Sequence, residues 1–226
     1  MNLEDWTPRE RPAPPCLDGR YARLEVLNWA DHGEGLFEAV GGEANNDLWT
    51  YMPIGPFPER DTFEQVFELV RQKFEWETLV IRSASTGEIL GMASYMRIRP
   101  EHGSVEVGCV TFGPKLKRTR EATDAMYLMG RHVFEGLGYR RYEWKCDNAN
   151  MASRRAADRL GFVFEGVFRK DMVRKGRNRD TAWFSITDEE WAGVKSAFEQ
   201  WLAPENFDED DTQKVSLSVI RGGQSV

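Results

Sequence analysis

Three stretches of the chain carry side chains that could move a proton or hold an anion. The first is "SVEVGCVTF", 104–112. Strand alternation puts Glu106 on one face with Val110 and Phe112, and Val105 and Val107 on the other. A carboxylate on a strand that is apolar on both faces loses solvation, and its pKa rises. Such a group suits deprotonation of an ammonium near neutral pH. The alternative role for Glu106 is pairing with Arg97 or Arg99 across the preceding hairpin. Asp147, at the end of the next strand, is a rival base. Cys109 reads as a small core residue, because no histidine adjoins it to activate its thiol.

The second stretch is "TFGPKLKRTREATDAM", 111–126. A helix starts near Arg120, and Lys115, Lys117, Arg118 and Arg120 crowd its entrance against only Glu121 and Asp124. Each cation there opposes the helix dipole by about 0.3–1 kcal/mol. The first N–H groups of a helix lack intrahelical partners and, with flanking cations, can hold a phosphate. A solvated cationic loop is the other reading. Neither GxxxxGK(S/T) nor GxGxxG is present, which excludes a P-loop and a dinucleotide turn. The third stretch, "DNANMAS", 147–153, sets Asn150 and Ser153 one helical turn apart at a strand-to-helix junction. Asn150 offers a donor and an acceptor, or simply a helix cap.

"KRTREA" (117–122) followed by "TDA" (123–125) resembles the pyrophosphate loop of the GNAT superfamily of N-acetyltransferases, Gln/Arg-x-x-Gly-x-Gly/Ala. Lys117 stands where Gln or Arg is usual, Arg120 replaces the first glycine and Ala122 the second. Asn150, Ser153, Gly161 and Phe162 resemble the Asn-x-x-Ser … Gly-Phe pattern of the ribosomal-protein (Rim-type) branch. The ending "GRNRDTAWFSITDEEW" and the loop "WTYMPIGPF" (49–57) are similar to that branch too. The resemblance spans roughly 20–200.

It implies acetyl transfer from acetyl-CoA to a primary amine, a small molecule or a protein N-terminus, by direct attack in a ternary complex. It implies cofactor contacts from Lys117, Arg118, Thr119, Arg120, Glu121, Ala122 and Thr123 around the diphosphate, and from Cys109, Val110 and Phe112 along the strand. Main-chain N–H around Cys109–Val110 would face the thioester oxygen. Asn150 would bond the pantetheine arm. Ser153 would contact the cofactor near sulfur, or protonate the thiolate; an ordinary surface serine is its alternative. Many members place a tyrosine acid at the position of Ala157, so Ser153, water or no acid serves here. Glu106 falls where the branch often has an acidic residue. Trp49, Tyr51 and Phe57 would wall the amine pocket, or pin a long loop to the core. A non-catalytic acyl-CoA-binding module on the same fold is the competing class. A nucleic-acid binder using Lys115–Arg120 with Arg154 and Arg155 is a third.

The elements that must position these residues follow from periodicity and turn chemistry. The 226-residue chain has a net charge of −7, which argues against a general nucleic-acid binder. Its three cysteines and three histidines are scattered, without CxxC or HExxH, so no metal site is expected. The odd thiol count fits a reducing compartment. No apolar run has the length of a membrane span, and the polar, proline-rich start is unlike a signal peptide. A cytoplasmic protein is expected, with no membrane or nucleic-acid partner; a homodimer is compatible with it.

Residues 1–19 read as a flexible arm broken by Pro8, Pro12, Pro14 and Pro15. Strands are expected at 20–29, 77–83, 88–98, 103–112, 139–146, 162–173 and 179–186. Helices are expected from Asp31 to about Val40, from Asp61 or Thr62, and over 120–136, 150–160 and 188–202. The order predicts one α/β (α+β) domain over 20–202, of GNAT type by the resemblance. Its mixed sheet has six to seven mostly antiparallel strands, flanked by about four helices plus a C-terminal one. Residues 203–226 read as an acidic linker and a tail, a loose strand or disordered.

Overall fold

The computed structural model describes residues 3–14 and 16–222; residues 1–2, Pro15 and residues 223–226 lie outside them. The strands are β1 (Cys16–Asp18), β2 (Ala22–Val26), β3 (Glu77–Ser83), β4 (Ile89–Arg99), β5 (Ser104–Phe112), β6 (Arg141–Asp147), β7 (Val163–Arg174) and β8 (Arg177–Thr187). They form one sheet in the order β1-β2-β3-β4-β5-β6-β8-β7. The helices are α1 (Trp29–Val40), α2 (Arg60–Lys73), α3 (Arg120–Arg131), α4 (Met151–Leu160), α5 (Asp188–Leu202) and α6 (Leu217–Gly222). The expected mixed, mostly antiparallel architecture is present, with eight strands rather than six or seven. The extra one, β1, is a three-residue edge strand paired to β2 inside the stretch expected as an arm.

Each face of the sheet carries its own core. In β3, Leu79 and Ile81 join the larger core and Val80 the smaller, so burial on both faces erases polar alternation. Residues of α3 and α5 fill the larger core, with Ala157 and Leu160 of α4. The smaller core is aromatic. Trp49 and Phe57 from the loop after α1 meet Phe63 and Phe67 of α2 there. Helix starts are capped locally. Asn28 accepts from the Ala30 N–H, so α1 begins two residues before Asp31. Thr187 and Glu190 form a capping box on α5.

β5 and β6 are the parallel neighbours, and their crossover runs through α3. Their pairing covers Ser104–Val107 against Arg141–Trp144 and then stops, although β5 continues to Phe112 and β6 to Asp147. The sheet therefore opens a seam between them, at the end where α3 and α4 begin.

Described residues near each end of the chain pack on the domain. The Trp6 indole donates to Glu101 O (2.8 Å), and the Tyr139 hydroxyl to Glu10 O (3.0 Å). In the segment expected as a loose strand or disordered tail, Leu217–Gly222 form the short helix α6, with Leu217 fully buried; residues 223–226 of that segment lie outside the described residues. The Asn206 amide donates to Trp201 O and Val215 O, and that closes the turn before it.

Candidate active site

The cationic loop is anchored by Leu116, fully buried in the larger core. Thr119 caps α3, its Oγ1 accepting from the Ala122 N–H at 3.2 Å. No glycine makes the turn; Arg118 takes the left-handed conformation instead (φ +65°). The fold neutralises half of the charge at this entrance. Lys115 pairs with Glu88 (2.5 Å). Arg120 pairs with Asp211 (2.6 Å) and lies over Tyr21 and Phe207, 4.7 and 4.9 Å from the ring centres. Lys117 and Arg118 have no side-chain partner among the described residues. The N–H groups of Arg120 and Glu121, at the first two helical positions, have no intrahelical acceptor. Ala122 and Thr123 are buried, and Thr123 Oγ1 accepts from Arg159 (3.2 Å). The cluster thus offers two free cations and two outward N–H groups.

The strand reading of β5 needs one correction. Val110 and Phe112 do not share the face of Glu106. They pack on the larger core with Val105 and Val107, and Cys109 belongs to the smaller one. The cause is a β-bulge. Ser94 pairs with Gly108 but Met92 with Thr111, and Cys109 takes φ +47° to absorb the extra residue. The bulge lies in the open seam, two residues beyond the last β5–β6 pair.

Glu106 is 4% exposed. Of the two expected partners Arg97 forms an ion pair with it and Arg99 does not, but a nearer cation is present. Lys145 Nζ sits 2.7 Å from Glu106 Oε2, and Arg97 Nε is 3.7 Å away. Burial raises the Glu106 carboxyl above its usual range; Lys145 and then Arg97 pull it back, and Glu143 pushes it up. Lys145 went unnoticed in the sequence because its meeting with Glu106 depends on the parallel register, which places Glu143 opposite Glu106. Cys109 is buried, and burial pushes its thiol up to about 12, so it is no nucleophile at neutral pH.

On the other side of the seam, Asn150 caps α4, its Oδ1 accepting from the Ser153 N–H (3.1 Å). Ser153 Oγ accepts from the Trp144 indole (3.0 Å), and its hydroxyl also meets the buried Cys146 thiol. Ala157 is fully buried and brings no acid. Asp147 Oδ1 accepts from the Ala149 N–H (2.9 Å), in the turn that leads to Asn150.

The three aromatic loop residues separate. Trp49 and Phe57 are buried, edge to face at 4.7 Å, and the Trp49 indole donates to Val40 O; they pin the loop. Tyr51 is exposed, its hydroxyl 3.5 Å from Ala149 O beside Asn150. Lys175, at the tip of the β7–β8 hairpin, donates to Trp49 O (2.7 Å) and Ile54 O (3.3 Å). It joins the hairpin to the aromatic loop, a role that nothing in its local sequence announces. A cavity of about 460 Å³ lies on the Glu106 side, with Arg97, Glu143, Lys145 and Trp183 in its wall. Among the described residues no cluster suits a metal ion, and no helix is long and apolar enough to cross a membrane.

This arrangement combines a cationic helix start with free N–H groups, an open seam between parallel strands, and a cavity lined by the lysine that pairs with the buried Glu106. The family model for the acetyltransferase (GNAT) domain matches residues 23–163. A GCN5-related N-acetyltransferase from Brucella melitensis is 44% identical, covers 97% of this chain and 100% of its own, and superposes with a TM-score of 0.93. A probable GNAT-family acetyltransferase from Chromobacterium violaceum is 39% identical over 85% of this chain and 96% of its own, with a TM-score of 0.79. The uncharacterized N-acetyltransferase YnaD of Bacillus subtilis is 24% identical over 66% of this chain and 85% of its own. The chain belongs to the GNAT family of acetyltransferases, which transfer an acetyl group from acetyl-CoA to an amine.

Proposed function

We propose that this N-acetyltransferase acts on a primary amine by direct attack within a ternary complex, with Glu106 as the base. One observation carries this reading: the buried Glu106 is paired at 2.7 Å with Lys145, which lines the cavity and stands just past the last β5–β6 pair, where the seam opens. The residues present fit acetyl-CoA. Lys117, Arg118 and the free N–H groups of Arg120 and Glu121 would hold its diphosphate. The unpaired edges of β5 and β6 would take its extended arm, whose amides need such partners. Bound there, it supplies an activated acetyl group and a thiolate that leaves readily.

The chain's own residues do the rest. Glu106 takes the ammonium proton, directly or through water, and Lys145 holds the carboxylate in place. Main-chain N–H at Cys109–Val110, which the bulge frees from regular pairing with β4, stabilises developing negative charge. Ser153, oriented by Trp144, gives its proton toward sulfur. The Asn150 Nδ2 group, its Oδ1 engaged in the cap, remains to donate. Tyr51 borders the acceptor's approach. A Rim-type preference for protein N-termini is one acceptor class within this reading; a structure titled as a ribosomal-protein-serine acetyltransferase, from Vibrio cholerae, shares the fold at 20% identity.

The test is incubation with isotope-labelled acetyl-CoA and a panel of small amines and N-terminal peptides, read by mass spectrometry. Labelled product in the wild type, and its near loss in Glu106→Gln, is expected. Equal product in both would remove Glu106 from the mechanism.

A further inference from the structure

Arg97 is held in an unusual way. It lies in β4 with φ +44°, where the β4–β5 register slips between Met96 and Arg99. L-residues adopt that conformation at a cost, and a bulge of this kind re-aims a side chain. The Arg97 guanidinium lies over the Trp183 ring, 5.1 Å from its centre, in the wall of the cavity, and its side chain is 44% exposed. Glu106 and Glu143 are 3.7 and 3.9 Å from its Nε, within ion-pair range but too far for hydrogen bonds.

Both carboxylates have nearer partners, Glu143 through Oε1 alone, while its buried Oε2 faces Arg97 without a hydrogen bond. Glu106 holds Lys145 at 2.7 Å, and Glu143 holds Arg99 and Arg141, each at 2.8 Å. Arg141 also grips Glu165 through two bonds of 2.6 Å. Two charged groups of the cavity wall are left without a hydrogen-bonded partner among the described residues, Arg97 and Asp171. A stacked guanidinium with free N–H groups presents the planar fork that fits a carboxylate.

Resting on the reading of Glu106 as base, we propose that the acceptor carries a carboxylate close to its amine, as an amino acid does, and that Arg97 binds that carboxylate. The 3.7 Å between Arg97 and Glu106 requires the two functions to be near neighbours on one molecule. A peptide N-terminus lacks that carboxylate, so small amino acids are the favoured class. Asp171 has the sign that draws in the ammonium end.

The test pairs each of several α-amino acids with its α-carboxamide. Acetylation is followed by release of free CoA thiol, and binding to the CoA-saturated protein by calorimetry, for wild type, Arg97→Gln and Arg97→Lys. For at least one pair, the acid should exceed the amide by about 10-fold or more in kcat/KM and in affinity. Arg97→Gln should bring that ratio within about twofold of one, mainly through KM. Arg97→Lys should keep part of it. CoA affinity and Tm report that the variants are folded. Amides equal to or better than acids, or a ratio unmoved by Arg97→Gln, overturns the proposal and leaves the base assignment standing. Carboxylate-dependent binding without turnover supports the proposal and overturns the catalytic reading. Binding of neither ligand by the wild type overturns both.

Discussion

Glu106→Gln separates the chemical role of the carboxylate from its structural one. The substitution keeps the shape and leaves an amide oxygen to accept from Lys145, 2.7 Å away in the native pair. It exchanges an ion pair for an ammonium–amide bond and leaves the ammonium less compensated, at about 1–3 kcal/mol of stability. A chain of this size should then lose several degrees in Tm. Loss of a positioned base lowers kcat/KM by about 10²–10⁴-fold, or roughly 3–5 kcal/mol of barrier. The pH dependence gives an independent sign. Burial raises Glu106 above its ordinary 4.5, and the base works only when ionised. Wild-type kcat/KM should climb with pH through that raised value, and Glu106→Gln should lack the limb.

Lys145→Met removes the main group that pulls Glu106 down, so the limb should move to higher pH. The double variant Glu106→Gln with Lys145→Met removes both charges, and should regain stability without regaining activity. Thiol-release assays between pH 5 and 9, alongside thermal melts, read each outcome. A double variant with wild-type turnover would refute the argument. So would Glu106→Gln retaining more than about a tenth of the rate with an unchanged limb.

Three further outcomes follow. Arg71, with help from Trp29 and Gln72, holds Glu68 down at about 2 against burial; its stabilisation is complete above 4.5 and lost as pH falls through about 2. Glu68→Gln should flatten denaturation stability over that window, and an equally steep acid loss in the variant would contradict the pairing. Gly161 ends α4 at φ +101°, and a Cβ there would stand 3.1 Å from both methyls of Val194. Gly161→Ala should therefore cost about 1–2 kcal/mol, seen as a Tm lower by several degrees. Arg118 takes φ +65° at the loop head with its side chain unpaired, and asparagine tolerates that conformation better. Arg118→Asn should melt no lower than wild type yet bind CoA several-fold more weakly by calorimetry, and unchanged affinity would exclude Arg118 from the diphosphate site.

Much of this was legible from local pattern. The strands around Val80 and Val107 and the helices around Met126 and Phe198 lie close to where periodicity put them, because each buries a contiguous apolar set. The desolvation of Glu106 was legible too, since apolar neighbours on both sides imply burial. What failed depends on register or on distant contacts. The face shared by Val110 and Phe112 inverts because one extra residue at Cys109 breaks the period of two. Lys145 meets Glu106 across parallel strands 30-odd positions apart in the chain, a meeting that no local spacing encodes. β1 and α6 are too short to show a period, and pairing with β2 and burial of Leu217 hold them in place. The charge at the helix entrance was visible; its partial cancellation by Asp211, 91 residues on, was not.

The Lys175 ammonium spans from the hairpin tip to two carbonyls of the aromatic loop. The hairpin belongs to the far edge of the sheet and the loop to the helices on one face, so the two elements that Lys175 joins come from distant parts of the chain. One flexible side chain makes them a hasp. They must shift together or part by breaking two bonds at once, so a motion of either element is felt by the other.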